Sequence, residues 1–283
     1  MEFETLDRYN NNGKYFCDRC HYQFNNERDL KKHKMKKMGC GKAEIKIENK
    51  IENPNEIFKG SAKEDLPSFD IEKLVSADLE GGFAALLSAS RRSGKTNLLK
   101  YIYSELKKQF DIIVFFSDTL HNKKYSFVEE PKFNKFDPGV IVNLFEFQKE
   151  TDNTFRILII MDDCVSNQTR ESNEIMQLYL TGRNWNISCI ISTQVSTLIN
   201  KKVRGNTDFV FIGKTNTPEN RLNLIDTFLI SCVKPPEQIT TKVGKEDYLD
   251  KYIVDNTTDY NFLVLDYLND GERVFNYKAP KVL

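Results

Sequence analysis

No apolar run in the chain approaches the roughly 18 residues that a membrane-spanning helix needs, so insertion into a bilayer is not expected. The acidic start, MEFETLD, lacks the basic and apolar segments of a secretory signal, and use in the cytosol is expected. Net charge is also missing: 41 basic and 41 acidic residues cancel. That excludes a uniformly basic coat, and any contact with nucleic acid must come from local patches. The six cysteines do not form a disulfide framework, because Cys17, Cys20 and Cys40 cluster while Cys164, Cys189 and Cys232 are scattered. Cys189 lies inside an apolar run, where a reduced thiol behaves as a small hydrophobe. What the chain does have is 283 residues, 40% of them apolar and 29% charged, enough for one large α/β domain and a small module.

The small module is expected over residues 1–44. The segment YFCDRCHYQFNNERDLKKHKMKKMGC (15–40) spaces Cys17-x2-Cys20-x12-His33-x6-Cys40, with Phe24 and Leu30 placed to fill the core of a ββα unit. Thiolates and an imidazole suit tetrahedral Zn²⁺, and so small a unit folds only with its ion. The pattern resembles a CCHC-type zinc finger. Its last interval exceeds the usual three to five residues, which leaves Cys40 the least secure of the four ligands. Residues 31–42 carry six lysines and no acid, suited to phosphate contact. One finger spans about three base pairs, so non-specific DNA docking, protein docking and a purely structural role all stay open.

Residues 45–66 are charged and poor in aromatics and read as a linker, and the main domain is expected over 67–283. There, apolar strand-like runs (83–89, 111–117, 156–161, 187–193 and 208–213) alternate with helical patterns (96–109, about 139–149, 169–184 and 217–229). Strands apolar throughout and separated by helices imply a mainly parallel sheet covered on both faces, a three-layer α/β sandwich.

Two strand ends carry chemistry. Ala89-Ser90-Arg91-Arg92-Ser93-Gly94-Lys95-Thr96 follows a strand and opens a helix, as a phosphate-binding P-loop must, although alanine replaces the motif's first glycine. Gly94 lets the backbone aim its N–H groups at phosphate, Lys95 reaches the β and γ phosphates, and the Thr96 hydroxyl suits Mg²⁺. Ser90, Arg91, Arg92 and Ser93 complete the loop. The second end is Ile157-Leu158-Ile159-Ile160-Met161-Asp162-Asp163, a Walker B pattern in which Asp162 would hold Mg²⁺ and Asp163 would polarise the attacking water. The following strand ends at Gln194, in the position of a sensor for water or γ-phosphate; the same residue type also occurs as ordinary strand-end punctuation.

Together, RRSGKT, the strand ending DDC, GRNWNISCIISTQ, VRGNTDFVFIG and the tail NFLVLDYLNDGERVFNYKAP resemble the poxvirus-type DNA-packaging ATPases of large double-stranded DNA viruses, within the FtsK–HerA superfamily. The likeness spans roughly residues 68–283 and omits the finger. It implies an additional-strand P-loop NTPase fold closed by a β-hairpin, with ATP and Mg²⁺ as ligands. It further implies a homo-oligomeric ring acting on double-stranded DNA at a capsid or portal, in the host cytoplasm or virion. Such rings complete each site with a neighbour's arginine; Arg183 is the leading candidate and Arg204 the second, while Arg183 is equally readable as a solvated helix end. Two other readings stay open: a P-loop ATPase serving DNA transfer, helicase loading or transcription, and a zinc-finger DNA-binding protein with a nucleotide-responsive domain.

Overall fold

The computed structural model describes residues 15–16, 23–24, 27–35, 58, 60–79, 81–129, 131–164, 171–195, 200–271 and 273–280. The chain divides into two units, Met1–Glu52 and Asn53–Leu283. In the first, β1 (Tyr15–Phe16) pairs antiparallel with β2 (Gln23–Phe24), and α1 (Glu27–Met35) packs against both strands. Leu30 is buried, as an inward-facing position of that helix, and His33 is half-buried. Cys17, Cys20 and Cys40 lie outside the described residues. Among the described residues no three metal-ligating side chains converge.

The second unit is one eight-stranded sheet between two helical layers. Its strands are β3 (Ala84–Ser88), β4 (Ile112–Phe116), β5 (Lys132–Phe133), β6 (Ile157–Asp162), β7 (Ile187–Thr193), β8 (Phe209–Ile212), β9 (Phe262–Asp266) and β10 (Val274–Tyr277). The spatial order is β10-β9-β8-β3-β7-β6-β4-β5. From β8 to β5 every pairing is parallel, while β9 and β10 form an antiparallel hairpin at one edge. β7 lies between β3 and β6, the strands that lead into the two motifs picked out in the sequence. This is the additional-strand P-loop α/β fold, and five of its strands lie within a residue or so of their sequence-expected limits.

Period-two burial explains the layering. Ala84, Leu86, Ile157, Ile159, Ile187 and Ile191 face one apolar cluster; Ala85, Leu87, Leu158, Ile160 and Ile190 face the other. The first is covered by α4 (Pro138–Glu150), α5 (Asn173–Thr181), the short α6 (Lys201–Arg204), α7 (Pro218–Thr227) and α8 (Lys242–Asn256), the second by α2 (Glu72–Leu79) and α3 (Lys95–Leu106). Each fully buried Ile or Leu contributes about 1.5–3 kcal/mol. Strands apolar on both faces are therefore the ones this sandwich selects.

Three details differ from the sequence reading. The helix expected over 169–184 is described from Asn173 and tightens into a 3₁₀ turn, Gly182–Trp185. α8 carries no apolar run long enough to stand out, yet Tyr248, Leu249, Tyr252 and Ile253 are all buried at helical spacing. Part of the charged stretch taken for a linker is docked along α8. The Ala62 N–H donates to Asp255 Oδ2 at 2.9 Å, the Glu64 N–H to Asn256 Oδ1 at 3.1 Å, and Tyr252 Oη to Glu64 Oε2 at 2.9 Å.

Candidate functional site

The C-terminal ends of β3, β6 and β7 converge on one cavity of about 270 Å³, lined by Ser90, Arg91, Arg92, Gly94, Lys95, Thr96, Asn97, Lys124, Asp163 and Gln194. After β3 the chain turns through Arg92 (φ 61°) and Gly94 (φ 94°) directly into α3. Gly94 caps that helix with no side-chain hydrogen bond, which leaves the first-turn N–H groups facing the cavity. The missing first glycine is absorbed elsewhere. Ala89 is buried and its φ is not positive. The room for its Cβ comes from Gly213, just past the adjoining strand β8, where any added Cβ would lie 2.8 Å from that of Ala89.

Lys95, only 6% exposed, donates from Nζ to Asp163 Oδ1 at 2.8 Å. Asp163 Oδ2 accepts from Gln194 Nε2 at 3.0 Å, and Gln194 Oε1 accepts from Arg91 Nε at 3.1 Å. This chain of four side chains joins the loop to the ends of β6 and β7 and balances the lysine's charge. Asp163 has left-handed backbone (φ 52°), which turns its carboxylate out of the strand and onto the lysine.

Asp162 is the deeper acid, 1% exposed. Its Oδ2 accepts from Tyr125 Oη at 2.5 Å, and that hydroxyl is itself held by Ser117 Oγ at 3.2 Å and Thr119 Oγ1 at 3.3 Å. Burial first, and the Asp162 charge second, raise the phenol's pKa, so it stays a donor. Asp162 Oδ1 is buried without a partner, as are Ser93 Oγ and Ser192 Oγ, and Ser192 stands beside Asp162 in register on β7. Each such orphan costs about 1–3 kcal/mol, which a bound metal, its waters or phosphate oxygens would recover. Thr96 lines the phosphate cavity, and a hydroxyl together with a buried carboxylate oxygen at the end of β6 is the hard-oxygen type of donor that suits Mg²⁺.

Neighbouring Cys164 plays no such part. Burial, reinforced by the carboxylates of Asp118 and Asp162, pushes its thiol up to about 12, so it remains protonated.

The arginines fall differently from expectation. Arg183 lies in the 3₁₀ turn before β7, at the N-terminal ends of the strands and so at the opposite end from the phosphate loop, with Nη1 donating to Asp208 Oδ1 at 3.0 Å. Asp208 Oδ2 also accepts from the Ala84 N–H at 2.8 Å; burial nonetheless raises its carboxyl pKa. Arg204, the second candidate, is a buried residue: its Nη1 donates to Asn223 Oδ1 at 2.7 Å and Thr227 Oγ1 at 3.1 Å on α7. That removes it as a surface-delivered charge. Tyr125, Lys124 and Asn97 were not foreseen; NKKYSF carries no motif, and Asn97 reads only as the residue after the loop.

No family model matches the chain. It is 24% identical over 216 residues to uncharacterized protein 075L of Invertebrate iridescent virus 6, covering 71% of this chain and 79% of that protein. It is also 24% identical over 217 residues to uncharacterized protein 015R of Frog virus 3 (isolate Goorha), covering 74% and 65%. Among solved structures, the genome packaging NTPase B204 of Sulfolobus turreted icosahedral virus 2, in complex with AMP, superposes with a TM-score of 0.53 at 15% identity. That match covers 72% of this chain and 99% of B204. The pCW3 conjugation coupling protein TcpA superposes with a TM-score of 0.51 at 13% identity, over 72% and 61%. The chain thus shares its fold with these nucleotide-handling proteins.

Proposed function

We propose that this protein is an ATP-hydrolysing motor that moves double-stranded DNA during viral genome packaging. The observation that carries the reading is the single cavity in which Lys95, Asp163 and Gln194 meet a left-handed glycine turn at a helix N-terminus. Incoming triphosphate competes with Asp163 for the Lys95 ammonium. Once Lys95 has moved to phosphate, Asp163 is free to accept a proton from water held by Gln194, with Arg91 steadying the glutamine. Thr96 and Asp162 Oδ1 would hold Mg²⁺, which when bound would neutralise charge on the transferring phosphate. Packaging is favoured over conjugative transfer because both sequence relatives are viral proteins, while B204 and TcpA resemble the fold about equally.

The reading includes a homo-oligomeric ring docked on capsid or portal proteins, with Arg183 serving the neighbouring site after its pair with Asp208 opens. ATP turnover measured with and without duplex DNA, on samples sized by light scattering, tests these points together. A rise of tenfold or more with DNA, confined to oligomers, is expected. Turnover indifferent to DNA would end the motor reading, and full activity in monomers would end the ring and the trans role of Arg183.

The N-terminal unit is proposed to bind one Zn²⁺ through Cys17, Cys20, His33 and Cys40. Titration of the full chain with Co²⁺ should produce a thiolate charge-transfer band and tetrahedral d–d absorption at one equivalent. Octahedral cobalt, without that band, would reject the ligand set.

A further inference from the structure

A second cavity, about 290 Å³, opens beside the phosphate site and is lined by Gly94, Asn97, Tyr260, Phe262, Lys278 and Ala279. Gly94 and Asn97 line both cavities, so the two adjoin at the first turn of α3. Phe262, at the start of β9, is a buried wall; Tyr260 is 60% exposed, an unusual state for an aromatic ring over a cavity. Asp259 and Tyr260 both have left-handed backbone, φ 52° and 60°, a costly arrangement for non-glycine residues that tends to persist where the chain is held for a purpose. The holding contacts are the ion pair of Lys278 with Asp259 and the bond from Asn97 Nδ2 to the Pro280 carbonyl at 3.1 Å. The Tyr260 ring lies against the loop itself: a Cβ on Gly94 would come within 3.2 Å of Tyr260 Cδ1.

We infer that this cavity receives the purine base of the nucleoside triphosphate, with Tyr260 stacking on the ring. The inference rests on the phosphate-loop reading above: a triphosphate held at Lys95 and Thr96 would reach this cavity across Gly94 and Asn97, which line both. An apolar floor, one exposed aromatic face and a polar rim match the flat π-face and hydrogen-bonding edge of a base. No carboxylate lines the cavity to accept the paired N–H groups of guanine.

Calorimetric titration of the full chain with ATPγS and with inorganic tripolyphosphate separates the two readings. In Tyr260→Ala, ATPγS should bind about 10–100-fold more weakly while tripolyphosphate binding is unchanged; Tyr260→Trp should bind ATPγS within a few-fold of the native chain. Equal ATPγS affinity in Tyr260→Ala overturns the stack. So does a matched loss for both ligands, which would mean that the ring only supports Gly94. Native protein that binds neither ligand would instead sink the phosphate-loop reading beneath it.

Discussion

Lys95→Ala should lower ATP turnover by at least about 10²–10³-fold, the usual effect of deleting one preorganised donor to developing charge. Lys95 is the cation that the fold has placed deepest in the phosphate cavity, at the first turn of α3 and nearly out of solvent. Its loss also removes the partner of Asp163 Oδ1, but the Asp163 side chain is 27% exposed and keeps Gln194 on its other oxygen. The folded state therefore loses little, and thermal unfolding should stay within a few degrees of the native chain. Steady-state turnover and a melting curve on the same preparation read both quantities. Native turnover in Lys95→Ala would remove the phosphate-loop assignment. A large fall in melting temperature would mean that the Lys95–Asp163 pair serves the fold rather than the chemistry.

How much of this was legible in the sequence depends on how local the cause is. β3, β4, β6, β7 and β8 are apolar on both faces because helices cover both, so their runs stand out unaided. Asp162, Asp163 and Gln194 stand out because each sits at the end of such a strand, and Lys95 because it opens the helix that follows one. Tyr125 was not, because its role is set by a contact with Asp162 made 37 residues away across the sheet edge. The same holds for Tyr260, whose ring meets Gly94 only after the chain returns through β8 and α8. The arginines show the limit most clearly. Arg183 and Arg204 look alike as exposed cations in the sequence, yet one pairs with Asp208 and the other is enclosed against α7. Likewise Ala89 reads as a damaged motif until Gly213 is seen opposite it.

The two acids should separate cleanly on amidation. Asp163→Asn is expected to bind Mg·ATP close to normally and to hydrolyse it about 10²–10⁴-fold more slowly, the range of a lost general base. Asparagine is a fair probe here because it tolerates the left-handed backbone that residue 163 adopts, so the change removes charge without adding strain. Asp162→Asn should behave differently. That carboxylate is buried with one oxygen bonded by Tyr125 and the other unpartnered, an arrangement that costs stability unless a cation completes it. Neutralising it should leave the metal-free protein at least as stable as the native chain, or stabilise it by about 1 kcal/mol, a rise of roughly 2–4 °C. The protein should meanwhile need far more Mg²⁺ to bind nucleotide. Tyr125→Phe is the control: it leaves the buried charge and deletes its donor, so it should lower stability by about 1–3 kcal/mol. Melting curves with and without Mg²⁺, alongside nucleotide titrations, give the full pattern. If Asp162→Asn melts well below the native chain and binds Mg·ATP unchanged, the buried carboxylate serves the fold through Tyr125, and the metal must be held elsewhere.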